Sequence, residues 1–142
     1  MKLVLDASVA LSWLLEDAGA GQEYAGAVFD ALASEDAEAR VPTTWALEIA
    51  NVIAKGEARG SLPRERSRAF LAALAAAPII CDPDTYSRTL TDTLDLSRRH
   101  RLSAYDASYL ELALRLQFPL ATLDADLRRA ATKAGALLFK VR

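Results

Sequence analysis

Short apolar runs alternate with longer stretches of helical periodicity along the chain. The runs predict buried strands of a parallel sheet, because strands covered on both faces are apolar at successive positions. They lie at residues 3–5, 40–42, 78–81, 119–123 and 136–139. Strands that alternate with helices are joined by right-handed crossovers. The pattern therefore predicts an α/β fold with a central parallel sheet of about five strands and helices on both faces.

Helix signals fill the intervals between these runs. Periodic apolar positions and capping residues place helices at about 9–17, 22–34, 44–59, 61–77, 84–100, 103–116 and 125–135. Within these helices we expect Ser61 and Ser103 to act as N-caps. We also expect Leu90, Leu94 and Leu96 to face the core.

The composition of the chain excludes several structural features and kinds of metal site. The 142 residues include one cysteine, Cys81, and one histidine, His100, so the chain can form neither an internal disulfide nor a zinc site of cysteines and histidines. No basic segment precedes a long apolar run, and no run approaches the length of a membrane span. We therefore expect a cytoplasmic protein without membrane contact. Because the sequence contains no repeat or linker, residues 1–142 are predicted to form one domain.

Four acidic residues lie where a parallel α/β fold would bring them to one edge of the sheet. Asp6 and Asp124 each follow a predicted strand, and the carboxyl ends of parallel strands are where such sheets place their sites. Asp106 lies in the first turn of a helix, and Glu48 interrupts an apolar helical run. An ionised carboxylate in such surroundings needs a partner.

Each acid also has a simpler explanation when it is taken alone. Asp6 could cap the helix that follows it, and Asp106 could form a capping box with Ser103. Glu48 could pair with a basic residue further along its helix, although the nearest candidates are too far for a direct i,i+4 contact. Asp124 and Asp126 could serve the N-terminus of the last helix. These explanations do not account for the placement of all four acids at positions that a parallel sheet brings to one edge.

Four carboxylates in one cleft repel each other unless cations compensate them. Hard divalent ions such as Mg²⁺ and Mn²⁺ prefer oxygen ligands and leave positions for water and for phosphate oxygens. Such an ion acidifies a bound water and stabilises the charge that develops during attack on phosphorus. The acids therefore predict a metal-dependent phosphodiesterase. The formal net charge of −2 permits a nucleic-acid substrate without indicating one.

Four blocks of the sequence resemble the PIN-domain family, and within it the VapC-like ribonuclease toxins of prokaryotic toxin–antitoxin pairs. The blocks lie at residues 3–8, 41–51, 102–110 and 121–127, and each contains one of the four acids. They occur in the order of the family and extend over most of the chain. The resemblance implies a three-layer α/β/α sandwich of the PIN type.

The resemblance also implies an activity and a set of site residues. It implies a Mg²⁺- or Mn²⁺-dependent endoribonuclease whose catalytic and metal-binding residues are Asp6, Glu48, Asp106 and Asp124. Four further positions match auxiliary places in such sites, namely Ser8, Thr122, Asn51 and Asp126. The two hydroxyls would orient a water or a ligand carboxylate. Asn51 could support Glu48 or pack its helix, and Asp126 could instead be a helix charge.

The same resemblance implies partners. VapC-like toxins act on RNA, form homodimers and are blocked by a cognate antitoxin protein, so we expect these partners here. A scaffold or protein-binding module without catalytic activity is the alternative, although such a module has no need of a repulsive acidic cluster. A phosphatase of the haloacid dehalogenase type is disfavoured, because its chemistry requires a second aspartate at the position of Ser8.

Overall fold

A computed structural model describes residues 1–15 and 19–141 of the chain. Within these residues the sheet has four strands, β1 Lys2–Leu5, β2 Glu38–Val41, β3 Ile79–Cys81 and β4 Leu120–Ala121. All pair in parallel, in the order β3-β2-β1-β4. Leu3, Val4 and Leu5 are completely buried, as expected of a central strand with helices on both faces.

Helices connect the strands and cover both faces of the sheet. Their bounds are α1 Ala7–Leu14, α2 Ala20–Leu32, α3 Trp45–Ala58, α4 Arg64–Ala76, α5 Thr85–Arg88, α6 Leu94–His100, α7 Ala104–Leu116 and α8 Ala125–Ala134, with a π-helical turn at Thr89–Thr93. Helix α1 packs on α2, α3 and α4, whereas α7 packs on β1, β4, α6 and α8. The predicted α/β fold with a parallel sheet between two helical layers is confirmed.

The order of the strands explains where the sheet can hold a site. From β1 the chain adds β2 and β3 on one side and then crosses back to place β4 on the other. The Asp6 backbone N–H donates to the Ala121 carbonyl at 3.0 Å, so the carboxyl ends of β1 and β4 are adjacent. Parallel α/β sheets bind ligands at such a reversal of strand order.

The fifth predicted strand, at residues 136–139, is not a strand in this structure. Within the described ranges this segment forms only an isolated parallel bridge between Leu138 and Leu120. Leu137 is 65% exposed, so the segment lacks the burial of a strand that is covered on both faces. It lies along β4 without extending the sheet.

The predicted helix at 84–100 is interrupted. The π-helical turn at Thr89–Thr93 separates α5 from α6 and changes the rotation of the side chains about the helix axis. As a result Leu90 is 81% exposed, contrary to the prediction, while Thr93 is buried and Leu96 packs in the core as expected.

Of the two predicted N-cap residues, one caps its helix and the other does not. Ser103 caps α7 as predicted, with its hydroxyl accepting the Asp106 backbone N–H. Ser61 does not cap a helix, because α4 begins only after Pro63 and the Ser61 hydroxyl donates to the Gly56 carbonyl instead. The predicted end of the first helix falls on residues 16–18, outside the described residues. No helix within the described ranges combines the length and apolarity needed to cross a membrane.

Candidate active site

Asp6 is the buried centre of the carboxyl edge. It directly follows β1 and is only 4% exposed. Its Oδ2 accepts hydrogen bonds from the Ser8 hydroxyl at 2.6 Å and from the Thr122 hydroxyl at 2.7 Å. Burial raises the pKa of Asp6, and the nearby charge of Asp124 adds to this, although the hydroxyl donors oppose it. Ionisation of Asp6 is therefore unfavourable in the metal-free protein, and the two hydrogen bonds fix the orientation of its carboxyl group.

Two backbone groups orient the hydroxyls that contact Asp6. The Leu123 N–H donates to the Ser8 oxygen at 3.1 Å, and the Asp124 N–H donates to the Thr122 oxygen at 3.0 Å. Each hydroxyl thus accepts from the segment after β4 and directs its own proton at Asp6. This network fastens the end of β1 to the end of β4, and it places both predicted auxiliary hydroxyls beside Asp6.

Glu48 reaches the same region from the first turn of α3. Its Oε1 accepts a hydrogen bond from the Tyr109 hydroxyl at 3.1 Å. Burial, together with the charges of Asp6 and Asp106, raises the pKa of Glu48 to about 7. An acid of this pKa can accept or release a proton near neutral pH.

Asp106 and Asp124 complete the group of acids. The Asp106 pKa is raised to about 6, first by burial and then by the charges of Asp124, Asp6 and Asp126. Asp124 caps α8 by accepting the Leu127 N–H at Oδ1, at 2.8 Å. The simpler explanation of Asp124 as a helix cap is therefore correct, but this bond occupies only one carboxylate oxygen.

The four predicted acids lie close enough together for their charges to interact. In the described part of the chain no lysine or arginine forms an ion pair with Asp6, Glu48, Asp106 or Asp124. Asp126 differs, because it is exposed and pairs with Arg129 at 2.6 Å. Asn51 is exposed on α3, one turn after Glu48. The four acids thus form an uncompensated negative cluster, with Asp126 at its margin.

The donor atoms fit a hard divalent ion in kind and in charge. All are carboxylate or hydroxyl oxygens. Burial first, and then the charges of neighbouring acids, raise the pKa values of Asp6, Glu48 and Asp106. Among the described residues, however, no group of three or more His, Cys, Asp and Glu side chains is placed to hold a metal ion. As the side chains stand, an ion would have no more than two direct carboxylate ligands. Mg²⁺ is commonly held in this way, with waters completing its shell.

Tyr109 is the site residue that the sequence did not reveal. The helical pattern assigns it to the apolar face of α7, and it is indeed completely buried. Its position three residues after Asp106 is the signal that was available, because residues so spaced lie on the same helix face. The phenol oxygen, however, contacts Glu48, which lies 61 residues away in the sequence.

A second charged group lies at the carboxyl end of β3. Arg115 on α7 binds Asp82 and Glu111, each with a shortest distance of 2.7 Å, and all three side chains are largely buried. Burial alone would raise the pKa of Asp82, but hydrogen bonds from Arg115 and Thr85 lower it below the usual range. Each of these two carboxylates is paired with a cation, unlike the acids around Asp6, so this cluster fits a structural role.

The raised pKa values predict that the metal-free protein loses stability as pH rises. Glu48 and Asp106 bind protons more tightly when folded, with pKa values of about 7 and 6 against model values of 4.5 and 3.8. The folded state therefore holds more protons than the unfolded state between about pH 4 and pH 7, and its stability falls through that window. Allowing for partial exposure, we expect a loss of about 2 kcal/mol.

Urea denaturation at pH 5 and pH 8 in EDTA measures this loss. Glu48→Gln removes one of these two contributions and serves as the matched comparison. We expect the stability difference between the two pH values to be smaller in the variant than in the wild type. An equal difference in both proteins would contradict the assignment.

The fold and the cluster define a class of protein, a parallel α/β domain with four interacting acidic side chains at its strand-order reversal. The PIN domain model matches residues 3–133, and the chain belongs to this family. It is 31% identical over 139 residues to Ribonuclease VapC3 of Pyrobaculum aerophilum, an alignment that covers 97% of this chain and 98% of the relative. The resemblance in the four sequence blocks is thereby confirmed.

Solved structures agree with the fold. PAE2754 from Pyrobaculum aerophilum matches with a TM-score of 0.63 at 22% identity, covering 92% of this chain and 87% of that one. FitAcB from Neisseria gonorrhoeae matches with a TM-score of 0.62 at 20% identity, covering 99% and 97%. A toxin–antitoxin complex from Klebsiella pneumoniae matches with a TM-score of 0.53 at 16% identity, covering 86% of each chain. At these identities the matches support the fold alone.

Proposed function

We propose that this protein is a metal-dependent endoribonuclease of the VapC type and the toxin of a toxin–antitoxin pair. The observation that carries the proposal is the cluster of Asp6, Glu48, Asp106 and Asp124. The pKa values of three of these acids are raised by burial and by the charges of their neighbours, and no basic residue among those described pairs with any of the four. Membership of the PIN domain family and similarity to a VapC ribonuclease support it.

In this proposal the four carboxylates would bind Mg²⁺ or Mn²⁺, no more than two of them directly and the others through its waters. The bound ion would supply an acidified water and would neutralise charge on the scissile phosphate. Ser8 and Thr122 keep the Asp6 carboxylate in one orientation through their hydrogen bonds to Oδ2. Glu48, with a pKa of about 7 in the metal-free protein, would release its proton when the cation binds. Asn51 and Asp126 remain auxiliary candidates.

The proposal includes protein partners. An antitoxin would bind so as to block the acidic cleft, where a basic side chain of that partner would find uncompensated carboxylates. The proposal also includes a homodimer, and it treats residues 1–142 as one domain. The resemblance to VapC-like toxins supports the antitoxin partner, and one solved structure of similar fold is a toxin–antitoxin complex.

One observation favours the alternative of a binding or scaffold module without catalytic activity. No group of three His, Cys, Asp or Glu side chains in the described ranges is placed to hold an ion. A module of this kind would bind protein partners through the PIN fold and would not cleave RNA in any divalent ion. The RNA cleavage experiment described next distinguishes the binding module from the ribonuclease.

Cleavage of total cellular RNA by the purified protein, in Mg²⁺ or Mn²⁺ and in EDTA, tests the proposal. We expect cleavage only with the divalent ion, and a loss of roughly 100-fold or more in Asp124→Asn. Asparagine caps helices about as well as aspartate, so this variant keeps the α8 cap and removes only the charge.

Asp30→Asn, which neutralises an exposed acid on α2, is the matched control and should cleave like the wild type. Cleavage that persists in EDTA would overturn the metal-dependent mechanism. Absence of cleavage by the wild type in either ion would favour the binding module.

A further inference from the structure

Tyr109 is a large core residue whose side chain also has a polar atom, its hydroxyl oxygen. It lies on α7 and is completely buried. Its hydroxyl nevertheless reaches Oε1 of Glu48 on α3, at 3.1 Å. The same helix carries Asp106 one turn earlier, so Tyr109 joins the helix of one acid to the side chain of another.

The surroundings of the hydroxyl keep it protonated. Burial raises the pKa of Tyr109, and the negative charges of Asp6 and Glu48 raise it further, although the Ala7 backbone N–H opposes them. The phenol therefore remains a hydrogen-bond donor over the whole working range of pH. Ala7 directly follows Asp6, so the Tyr109 oxygen lies among the elements that carry Asp6, Glu48 and Asp106.

Across the residues that the structure describes, Glu48 has fewer hydrogen-bond partners than Asp6 and, unlike Asp124, is not held by the backbone of its own helix. Asp6 accepts from two hydroxyls, and Asp124 accepts from the backbone of its own helix. The Tyr109 hydroxyl is the only side-chain hydrogen-bond partner of Glu48 among the described residues. A long, partly exposed side chain without such an anchor samples several rotamers, and ordering it costs entropy when a ligand binds.

We propose that Tyr109 is a positioning residue that holds the Glu48 carboxylate ready to bind a divalent cation. The inference rests on the proposed function. Groups that fix the orientation of a metal ligand commonly change metal affinity by 10–100-fold when they are removed. The competing explanation is that Tyr109 is a core residue whose hydroxyl happens to find a partner. The two explanations differ in their effect on metal binding.

Titration with Mn²⁺ alone, followed by calorimetry, tests the inference without relying on activity. Tyr109→Phe removes one oxygen atom and keeps the ring in the core. We expect the dissociation constant for Mn²⁺ to rise roughly tenfold. Tyr105→Phe makes the same chemical change at an exposed position of the same helix and should leave the constant within twofold of the wild type.

A double variant separates positioning from general loosening of the core. If Tyr109 acts through Glu48, Tyr109→Phe should weaken Mn²⁺ binding no further in a Glu48→Gln background. Additive losses in the double variant, or an unchanged constant in Tyr109→Phe, would overturn the inference.

The outcomes also distinguish this inference from the proposed function. Mn²⁺ binding that is intact in the wild type, lost in Asp6→Asn and unaffected in Tyr109→Phe would remove only the role of Tyr109. A wild-type protein that binds no Mn²⁺, or an Asp6→Asn variant that binds as well as the wild type, would overturn both.

Discussion

Asp6→Asn is expected to abolish RNA cleavage, with a loss of roughly 10³-fold or more, without destabilising the metal-free protein. The side chain is buried at the end of β1, and its pKa is raised by burial and by Asp124. The substitution keeps the shape and an oxygen that can accept from Ser8 and Thr122, while it removes the charge. RNA cleavage should therefore be lost while the free energy of unfolding stays the same or rises.

The stability half of this prediction is measured by thermal or urea denaturation at pH 8 in EDTA. We expect the free energy of unfolding to stay the same or to rise by about 1 kcal/mol, because an uncompensated buried charge is lost. Asp36→Asn at an exposed position controls for the general effect of removing an acid. Cleavage close to the wild-type rate would exclude Asp6 from the mechanism. A large loss of stability would instead assign Asp6 a structural role.

Of the single substitutions discussed, Arg115→Met is expected to lower the free energy of unfolding most, by about 3–5 kcal/mol. Arg115 lies between Asp82, whose side chain is 2% exposed, and Glu111, whose side chain is 6% exposed. Methionine fills much of the same volume but leaves two buried carboxylates without a cation. The urea midpoint at pH 7 measures the loss.

Two further variants show whether unpaired charge causes that loss. Arg115→Lys should lose less than the methionine variant, because an ammonium keeps the charge but cannot bind both carboxylates with the planar geometry of guanidinium. Combining Arg115→Met with Asp82→Asn and Glu111→Gln should recover part of the stability. If Arg115→Met costs less than about 1 kcal/mol, the cluster does not stabilise the fold as described.

Where the local pattern and the global fold agree, the sequence predicted the structure well. The apolar run before Asp6 is the central strand, and Ser103 caps α7 with Asp106 in its first turn, as the capping pattern indicates. The parallel arrangement followed from the alternation of strands and helices, and four short blocks were enough to identify the PIN domain family. The assignment of Asp6, Glu48, Asp106 and Asp124 as metal ligands stays a prediction.

Two of the wrong predictions share a cause, whereas the Ser61 cap fails because α4 begins only after Pro63. Residues 136–139 have the composition of a strand, but whether they pair depends on what covers them, and Leu137 faces solvent. The π-helical turn rotates Leu90 out of the core. Such a turn contains one residue more than a regular α-helical turn, and the spacing of apolar residues in the sequence does not predict where it occurs. In each case packing between distant segments overrode a pattern that is read over a few residues.

The sequence by itself determined the order of elements, the parallel sheet and the presence of an acid after three of the predicted strands. These depend on interactions between near neighbours, such as periodic burial and helix capping. Only the tertiary structure decided which charges remain without a counterion. Asp82 and Asp6 both follow strands, yet Asp82 meets Arg115 while Asp6 meets two hydroxyls and other acids. The contacts that make this difference join residues 33 and 116 positions apart, and no local pattern encodes them.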